Sequence, residues 1–188
     1  MSLVTKETIC DTASQLIGAG SITSFDDPTA EAKKCRSIWP TTLKDAIEEH
    51  PWTFSVKQLE LNLVPSEKPL YGFKYAFRMP PDLLKLLDVN SSYPHRIVGN
   101  LLFTDAEKVE VSYQYIPDPQ EFKGAFTAYL EFVMASKLAI ALQDDKVKAQ
   151  EYERKADKKL AVARSRDSQQ QSTASAKPHN FGLTNRRW

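Results

Sequence analysis

Apolar residues near the N-terminus recur every three or four positions, which is the spacing of one buried helix face. The first set of this kind is Ile9, Ala13, Leu16 and Ile17. Thr5 is a suitable N-cap for this helix, because its hydroxyl can accept from a free backbone amide. Gly18 predicts the end of the helix, since glycine readily takes the left-handed conformation that closes a helix.

A second helical pattern follows, and its apolar side is formed by Ala32, Cys35, Trp39, Leu43, Ala46 and Ile47. The aspartates at 26 and 27 precede Pro28, which is typical of a capped helix start with proline in its first turn. Pro40 lies inside the pattern, and we expect it to kink or split the helix. Pro51 predicts the end of the helix.

The spacing changes to a period of two in the middle of the chain. The clearest strand pattern is Val109, Val111, Tyr113 and Tyr115, in which β-branched and aromatic residues alternate with polar ones. Gly99-Asn100 lies between two apolar runs and predicts a two-residue hairpin turn. The segment therefore predicts a small, mostly antiparallel sheet.

Helical spacing returns after Pro119. One wide apolar face consists of Phe122, Phe126, Tyr129, Leu130, Val133, Leu138 and Ala141. We expect Asp144 to cap a final helix, whose apolar stripe is Ala149, Tyr152, Ala156, Leu160 and Ala163. The opposite face is densely charged and is either a solvated surface or a subunit contact.

These patterns together predict an α+β fold: a four-helix bundle-like body with an inserted small antiparallel β subdomain and an extended C-terminal tail. Residues 1–51 and 117–167 form the discontinuous helical body. Residues 52–116 form the insert. Residues 168–188 begin with a stretch low in hydrophobic residues, and we expect them to form a flexible docking tail.

Composition excludes several classes of protein. The chain has 188 residues, of which 41% are hydrophobic and 26% charged, as in ordinary globular domains. No uninterrupted apolar run approaches 18 residues, and we therefore expect no membrane span. The first ten residues lack the apolar block of a secretory signal. Two cysteines, Cys10 and Cys35, cannot build a disulfide framework or a four-ligand zinc site, so synthesis in a reducing cytosol fits best.

The end of the chain differs from the rest of it in net charge. The net charge is +1, but the five basic residues and one acid from Arg164 onward carry +4, which leaves −3 for the rest. Aromatic residues recur at the very end of the tail, after a stretch without them, which suggests a docking peptide that orders on its partner. We expect its anchors to be Phe181, Leu183, Arg186, Arg187 and Trp188. A passive tail is the alternative.

Catalytic and metal-binding patterns are missing from the sequence. The chain has no nucleophile elbow, no zinc-protease helix and no phosphate-binding glycine loop. Its three histidines are scattered, and we expect His50 to interact with the dipole at a helix end. The paired aspartates fit helix caps, and both cysteines fit buried thiols. We therefore expect no enzyme activity, no metal and no cofactor.

Several short motifs resemble those of one family. They are GAGSITSFDDPTAEAKKCR at 18–36, HPWTF at 50–54, YAFRMPPD at 75–82 with LLKLLDV after it, and Pro119 leading to Phe122 and Phe126. In order and spacing they are similar to the tail tubular protein A, or head-to-tail adaptor, family of short-tailed bacteriophages (podoviruses). The resemblance covers residues 5–167.

The resemblance implies a structural protein of the virion, made in the host cytoplasm and placed at the head–tail junction. In that family about twelve copies form a closed ring through heterologous contacts. The ring connects the portal protein to a tail nozzle protein of the tail tubular protein B type. Double-stranded DNA passes through its lumen without sequence-specific binding and without a membrane, and a weakly acidic body would let the duplex slide.

Three surfaces are candidates for the contacts of such a ring. The charged face of the last helix would orient neighbouring copies through Glu151, Arg154 and Lys158. The tail would dock on the portal or on a neighbouring subunit. The loop at 64–72 and the hairpin at Gly99 would face the nozzle. The rival function is a small intracellular nucleic-acid-binding accessory protein that uses the basic tail on phosphates.

Overall fold

The computed structural model describes residues 3–65 and 72–169. Within these ranges the chain is an α+β protein with two helices, then an antiparallel β region, then two more helices, as the sequence predicts. The helices are α1 (Lys6–Leu16), α2 (Ala30–Glu48), α3 (Gly124–Gln143) and α4 (Lys146–Ser168). The expected tail lies outside the described residues.

The helical body is organised around α3, against which α1, α2 and α4 all pack. Its side chains Phe126, Leu130, Met134 and Leu138 are at most 1% exposed. By length and composition alone α3 is apolar enough to cross a membrane, a test that the core helix of a folded body also passes. The helix is apolar on nearly all sides because three other helices pack against it.

Helix α1 has the predicted ends. Thr5 accepts from the Thr8 amide at 3.2 Å, and the Thr8 hydroxyl accepts from the Thr5 amide at 2.9 Å. This reciprocal pair satisfies amides that have no partner within the helix. Gly18 has a φ of 77°, and its amide donates to the Gln15 carbonyl at 2.9 Å. Both sequence-based predictions are confirmed.

The predicted start of α2, at Pro28, is wrong by two residues. Thr29 is the N-cap and accepts from the Ala32 amide at 3.2 Å. Asp27 instead accepts from the amides of Thr23 and Ser24 at 3.0 and 2.9 Å, which holds the preceding loop. An aspartate can close a local turn as well as it can cap a helix, and here the loop uses it.

Helix α2 also runs without interruption through Pro40, so the proline does not split it. Proline removes one backbone donor and strains the turn before it. On either side of it, Trp39 and Leu43 are buried in the body core. This packing holds the helix together across the proline.

The connection between α3 and α4 uses both aspartates, but not as predicted. Asp144 has a left-handed φ of 51° and ends α3, with its amide donating to the Ile140 carbonyl at 3.1 Å. Asp145 is the N-cap of α4 and accepts from the Lys148 amide at 2.9 Å. Aspartate is among the few residues that tolerate the left-handed conformation, which permits this short turn.

The β-subdomain contains two antiparallel sheets where the sequence predicted one. The strands are β1 (Val56–Glu60), β2 (Asn62–Leu63), β3 (Tyr75–Arg78), β4 (Lys85–Asn90), β5 (His95–Val98), β6 (Leu101–Thr104) and β7 (Glu110–Gln114). One sheet has the order β1-β7-β4, and the other has the order β2-β3-β6-β5. The two sheets share an apolar core that includes Phe77, Leu102, Val109 and Val111.

The predicted hairpin at Gly99-Asn100 is confirmed, since it joins β5 to β6 with Val98 paired to Leu101. Gly99 has a φ of 61°, a conformation that two-residue hairpin turns require and that glycine adopts without strain.

Candidate functional site

The start of the β-subdomain is anchored in the helical body by Trp52. Its side chain is 1% exposed, and its indole Nε1 donates to the Ala46 carbonyl near the end of α2 at 3.0 Å. Its ring meets Phe126 of α3 edge-on at 5.0 Å and stacks on Phe54 at 6.0 Å. Trp52 is therefore part of the body core and fixes the insert to it.

A second anchor at this junction, Asp167 near the end of α4, was missed by sequence reasoning. Its carboxylate is almost fully buried and accepts from the Thr53 amide at 3.1 Å and from the Thr53 hydroxyl at 2.7 Å. The only local signal was an acid at the end of a helix, where the dipole disfavours negative charge. The two donors of Thr53, which are partly buried, explain the presence of an acid there.

His50 lies beside this carboxylate, with 3.5 Å between Nε2 and an Asp167 oxygen, and it meets Trp52 edge-on at 4.9 Å. Burial lowers the pKa of His50 and outweighs the opposite effect of Asp167. His50 follows the C-cap of α2, at the helix end where it was expected, but its burial opposes the charged form that would interact with the helix dipole. Thr53 donates directly to Asp167, so these residues do not form a nucleophile–base relay.

Gln114 closes the same junction from β7. Its side-chain nitrogen donates to the carbonyls of Ile47 and His50 at 2.9 and 2.7 Å and lies 3.2 Å from the Ser55 hydroxyl. The Ile47 carbonyl belongs to the last turn of α2, where helix acceptors have no internal partner, and His50 lies two residues beyond the helix. The junction thus joins α2, α4 and the insert through buried polar groups.

The motif at 75–82 ends in a second polar cluster, which lies within the β-subdomain. Asp82 accepts from the Lys57 ammonium at 2.8 Å and from the Tyr113 hydroxyl at 3.0 Å. The hydrogen bond from Lys57, followed by that from Tyr113, lowers the pKa of Asp82 despite partial desolvation. This cluster ties the segment before β4 to β1 and β7.

The predicted subunit-contact residues share one exposed face of α4. Glu151, Arg154 and Lys158 are spaced by three and four positions, which places them on one side of the helix. Glu151 also contacts Lys155 at 2.6 Å. The face therefore carries one paired carboxylate and two cations that form no ion pair with the described residues.

A groove of about 590 Å³ runs between α3 and α4; we call it the α3–α4 groove. Its floor and walls include Tyr129, Val133 and Ile140 from α3 and Ala149, Glu153, Ala156 and Asp157 from α4. The sequence analysis did not predict this groove, because it assigned the lining residues separately to the apolar faces of α3 and α4 and to the charged face of α4. Two ion pairs tie α2 to the helices that form it: Lys137–Asp45 at 3.6 Å and Arg164–Glu49 at 2.9 Å.

The remaining candidate residues occupy less informative positions. Cys10 and Cys35 are fully buried and free, and the hydrogen bond with Cys35, followed by burial, raises the pKa of Cys10. Among the described residues no cluster could hold a metal ion.

The Gly99 hairpin, which was predicted to face the nozzle, exposes Ile97 and Val98. Residues 66–71 of the predicted nozzle loop lie outside the described residues.

The five predicted tail anchors also lie outside the described residues. They are Phe181, Leu183, Arg186, Arg187 and Trp188.

No protein-family model matches the chain, and no curated protein matches it in sequence.

Proposed function

We propose that this protein is a head-to-tail adaptor of a short-tailed bacteriophage, forming a ring of about twelve copies between the portal and the tail nozzle. The sequence resemblance suggests this role. The arrangement of the fold supports it: helices from both ends of the chain build one body, from which the β-subdomain extends as an insert.

The observation that carries the proposal is the junction between these two parts, at which the insert is fixed to the helices. Trp52, Thr53 and Gln114 connect the insert to the helices by buried hydrogen bonds and aromatic contacts. A ring subunit that connects two different assemblies needs such a rigid connection, because both of its ends must hold fixed positions. The adaptor has a structural role and needs no catalytic group.

Charge favours a conduit over a DNA-binding protein. The chain up to residue 163 carries −3, which is +1 for the whole chain less the +4 of the residues from Arg164 onward. Lysine and arginine contacts to phosphate would hold any DNA sequence and slow its passage. The face of α4 with Glu151, Arg154 and Lys158 then serves to orient neighbouring copies.

Native mass spectrometry of the full chain, alone and mixed with the portal protein of the same genome, tests the proposal. A ring of the chain alone, or a stoichiometric complex with the portal, is the expected result. A chain that stays monomeric and does not bind the portal protein would contradict the proposal.

A chain ending at residue 169 is the matched variant, because it keeps every described helix and strand. Loss of the portal complex in this variant would assign the portal contact to the tail. For the rival function, DNA affinity is measured against salt concentration. A slope equivalent to several released counterions would favour a nucleic-acid-binding protein.

A further inference from the structure

The floor of the α3–α4 groove is apolar and partly open. Ile140 is 50% exposed although it lies in the most hydrophobic helix of the protein. Ala149 and Ala156 of α4 are nearly fully buried, and their small side chains leave room beside them. An occupant with large apolar side chains would remove Ile140 from water, which is the main driving force for docking.

The α4 wall of the groove is acidic. Glu153 and Asp157 are exposed, lie one helical turn apart and form no ion pair with a described residue. Like charges at this spacing repel each other. The nearby cations Lys137 and Arg164 are held by carboxylates of α2, at 3.6 and 2.9 Å. Lys146 lies two turns towards the start of α4, about 10 Å from Glu153 along the axis.

The Tyr129 side chain lines the same groove. The residue is 6% exposed, but its hydroxyl is not among the fully buried polar atoms, and it forms no hydrogen bond with a described residue. Burial, together with the carboxylates of Glu49, Asp157 and Asp45, raises the pKa of Tyr129 to about 12. The phenol therefore keeps its proton. The hydroxyl is therefore open to the groove and is a donor for an acceptor on an occupant.

We propose that residues 181–188 of the same chain occupy the α3–α4 groove in the free protein. Phe181, Leu183 and Trp188 supply the large apolar side chains that the floor accommodates. Arg186 and Arg187 supply the cations that the acidic wall lacks. Residues 170–188 contain three basic residues and no acid, so their charge is complementary to the wall throughout.

The length of the chain permits this contact. Sixteen residues separate Glu153 from Gln169, a distance of about 24 Å along a helix. The eleven residues from 170 to 180 can span about 36 Å when extended. The anchors can therefore turn back along α4 and reach the groove with slack. A tethered segment also has a high effective concentration at a site on its own chain.

This inference goes beyond the proposed adaptor role, because it concerns the free chain and holds whether or not the chain forms a ring. It also means that the tail has two binding positions, the groove of its own chain and a site on a partner. A partner that binds the tail must first displace it from the groove, which would expose Ile140 and the acidic wall to a neighbouring subunit.

Photo-crosslinking of the full chain tests the proposal. A benzophenone side chain is placed at position 184, so that all five anchors remain. Dilute protein is irradiated as a mixture of ¹⁵N-labelled and unlabelled chains, and adducts are mapped by mass spectrometry. We expect adducts on residues 129–157 in peptides that carry a single label. Adducts elsewhere, or adducts that join labelled to unlabelled chains, would overturn the proposal.

Charge variants test the recognition. Glu153→Lys with Asp157→Lys should lower the groove adduct yield about threefold to tenfold, because two exposed attractive pairs become repulsive. Asp88→Lys with Glu107→Lys makes the same charge change at exposed positions of the β-subdomain and should leave the yield unchanged. Tyr129→Phe, which keeps the ring, should also lower the yield. Equal yields in the groove variants and the control would contradict the proposal.

Discussion

Asp167 near the end of α4 accepts hydrogen bonds from both the backbone amide and the side-chain hydroxyl of Thr53, although 114 positions separate the two residues. The contact joins the last helix to the first residues of the β insert. Together with Trp52 it makes the two parts of the chain fold as one unit, since neither part can move without breaking a buried hydrogen bond.

Asp167→Ala should destabilise the protein by about 1–3 kcal/mol, because it leaves the two partly buried Thr53 donors without their acceptor. The free energy of unfolding is measured by urea titration. Asp88→Ala, at an exposed strand position, is the control and should change it by less than about 0.5 kcal/mol. Equal losses in the two variants would show that the junction contact does not contribute to stability.

His50 should make stability depend on pH. Burial lowers the pKa of His50 below the ordinary value of 6.5, so the unfolded chain binds more protons than the folded chain between those two values. The stabilising contribution is therefore complete above about pH 6.5, is lost as the pH falls through that value, and levels off below the folded pKa.

Urea unfolding at a series of pH values between 7.5 and 5 measures this dependence, with the window set by the ordinary histidine pKa of about 6.5. His50→Gln should flatten the curve in that window. His95→Gln, at an exposed position, should leave it as in the parent protein. A parent-like slope in His50→Gln would assign the dependence to another group.

Pro40→Ala should stabilise the protein by about 1–3 kcal/mol. Residue 40 is exposed within an uninterrupted helix, so alanine restores a helical donor and relieves strain without disturbing the core. The greater freedom of the unfolded chain offsets part of the gain. Thr41→Ala, at the neighbouring exposed position, should gain no more than about 0.7 kcal/mol from helix propensity. Thermal unfolding distinguishes the two, and a loss of stability in Pro40→Ala would be the contrary result.

Charge reversal on the exposed face of α4 should abolish ring assembly. The variant combines Glu151→Lys, Arg154→Glu and Lys158→Glu, which would place like charges opposite each other between copies. Native mass spectrometry measures the ring fraction, with circular dichroism to confirm folding. Reversing the exposed pair Glu60 and Lys108 of the β-subdomain is the control. Unchanged assembly in the α4 variant would exclude this face as the subunit contact.

Features for which the local sequence allows one structure were predicted correctly. Features for which the same residue type can have several structural roles were not. Thr5 and Gly18 were placed correctly because each has one obvious neighbouring helix end. Asp27 and Asp144 were assigned wrongly, because aspartate can cap a helix, close a turn or take a left-handed conformation. Pro40 was judged by its local cost, which the packing of Trp39 and Leu43 overcomes.

Hydrophobic spacing alone was enough to predict the four helices, the β insert between them and the apolar side of each helix, because the spacing reflects which face is buried. Three features became visible only in the folded chain: the insert forms two sheets, Asp167 accepts from Thr53, and a groove lined by Tyr129 opens between α3 and α4. These features depend on contacts between distant segments. Periodicity carries no signal for such contacts, because it reports the environment of a residue and not its partner.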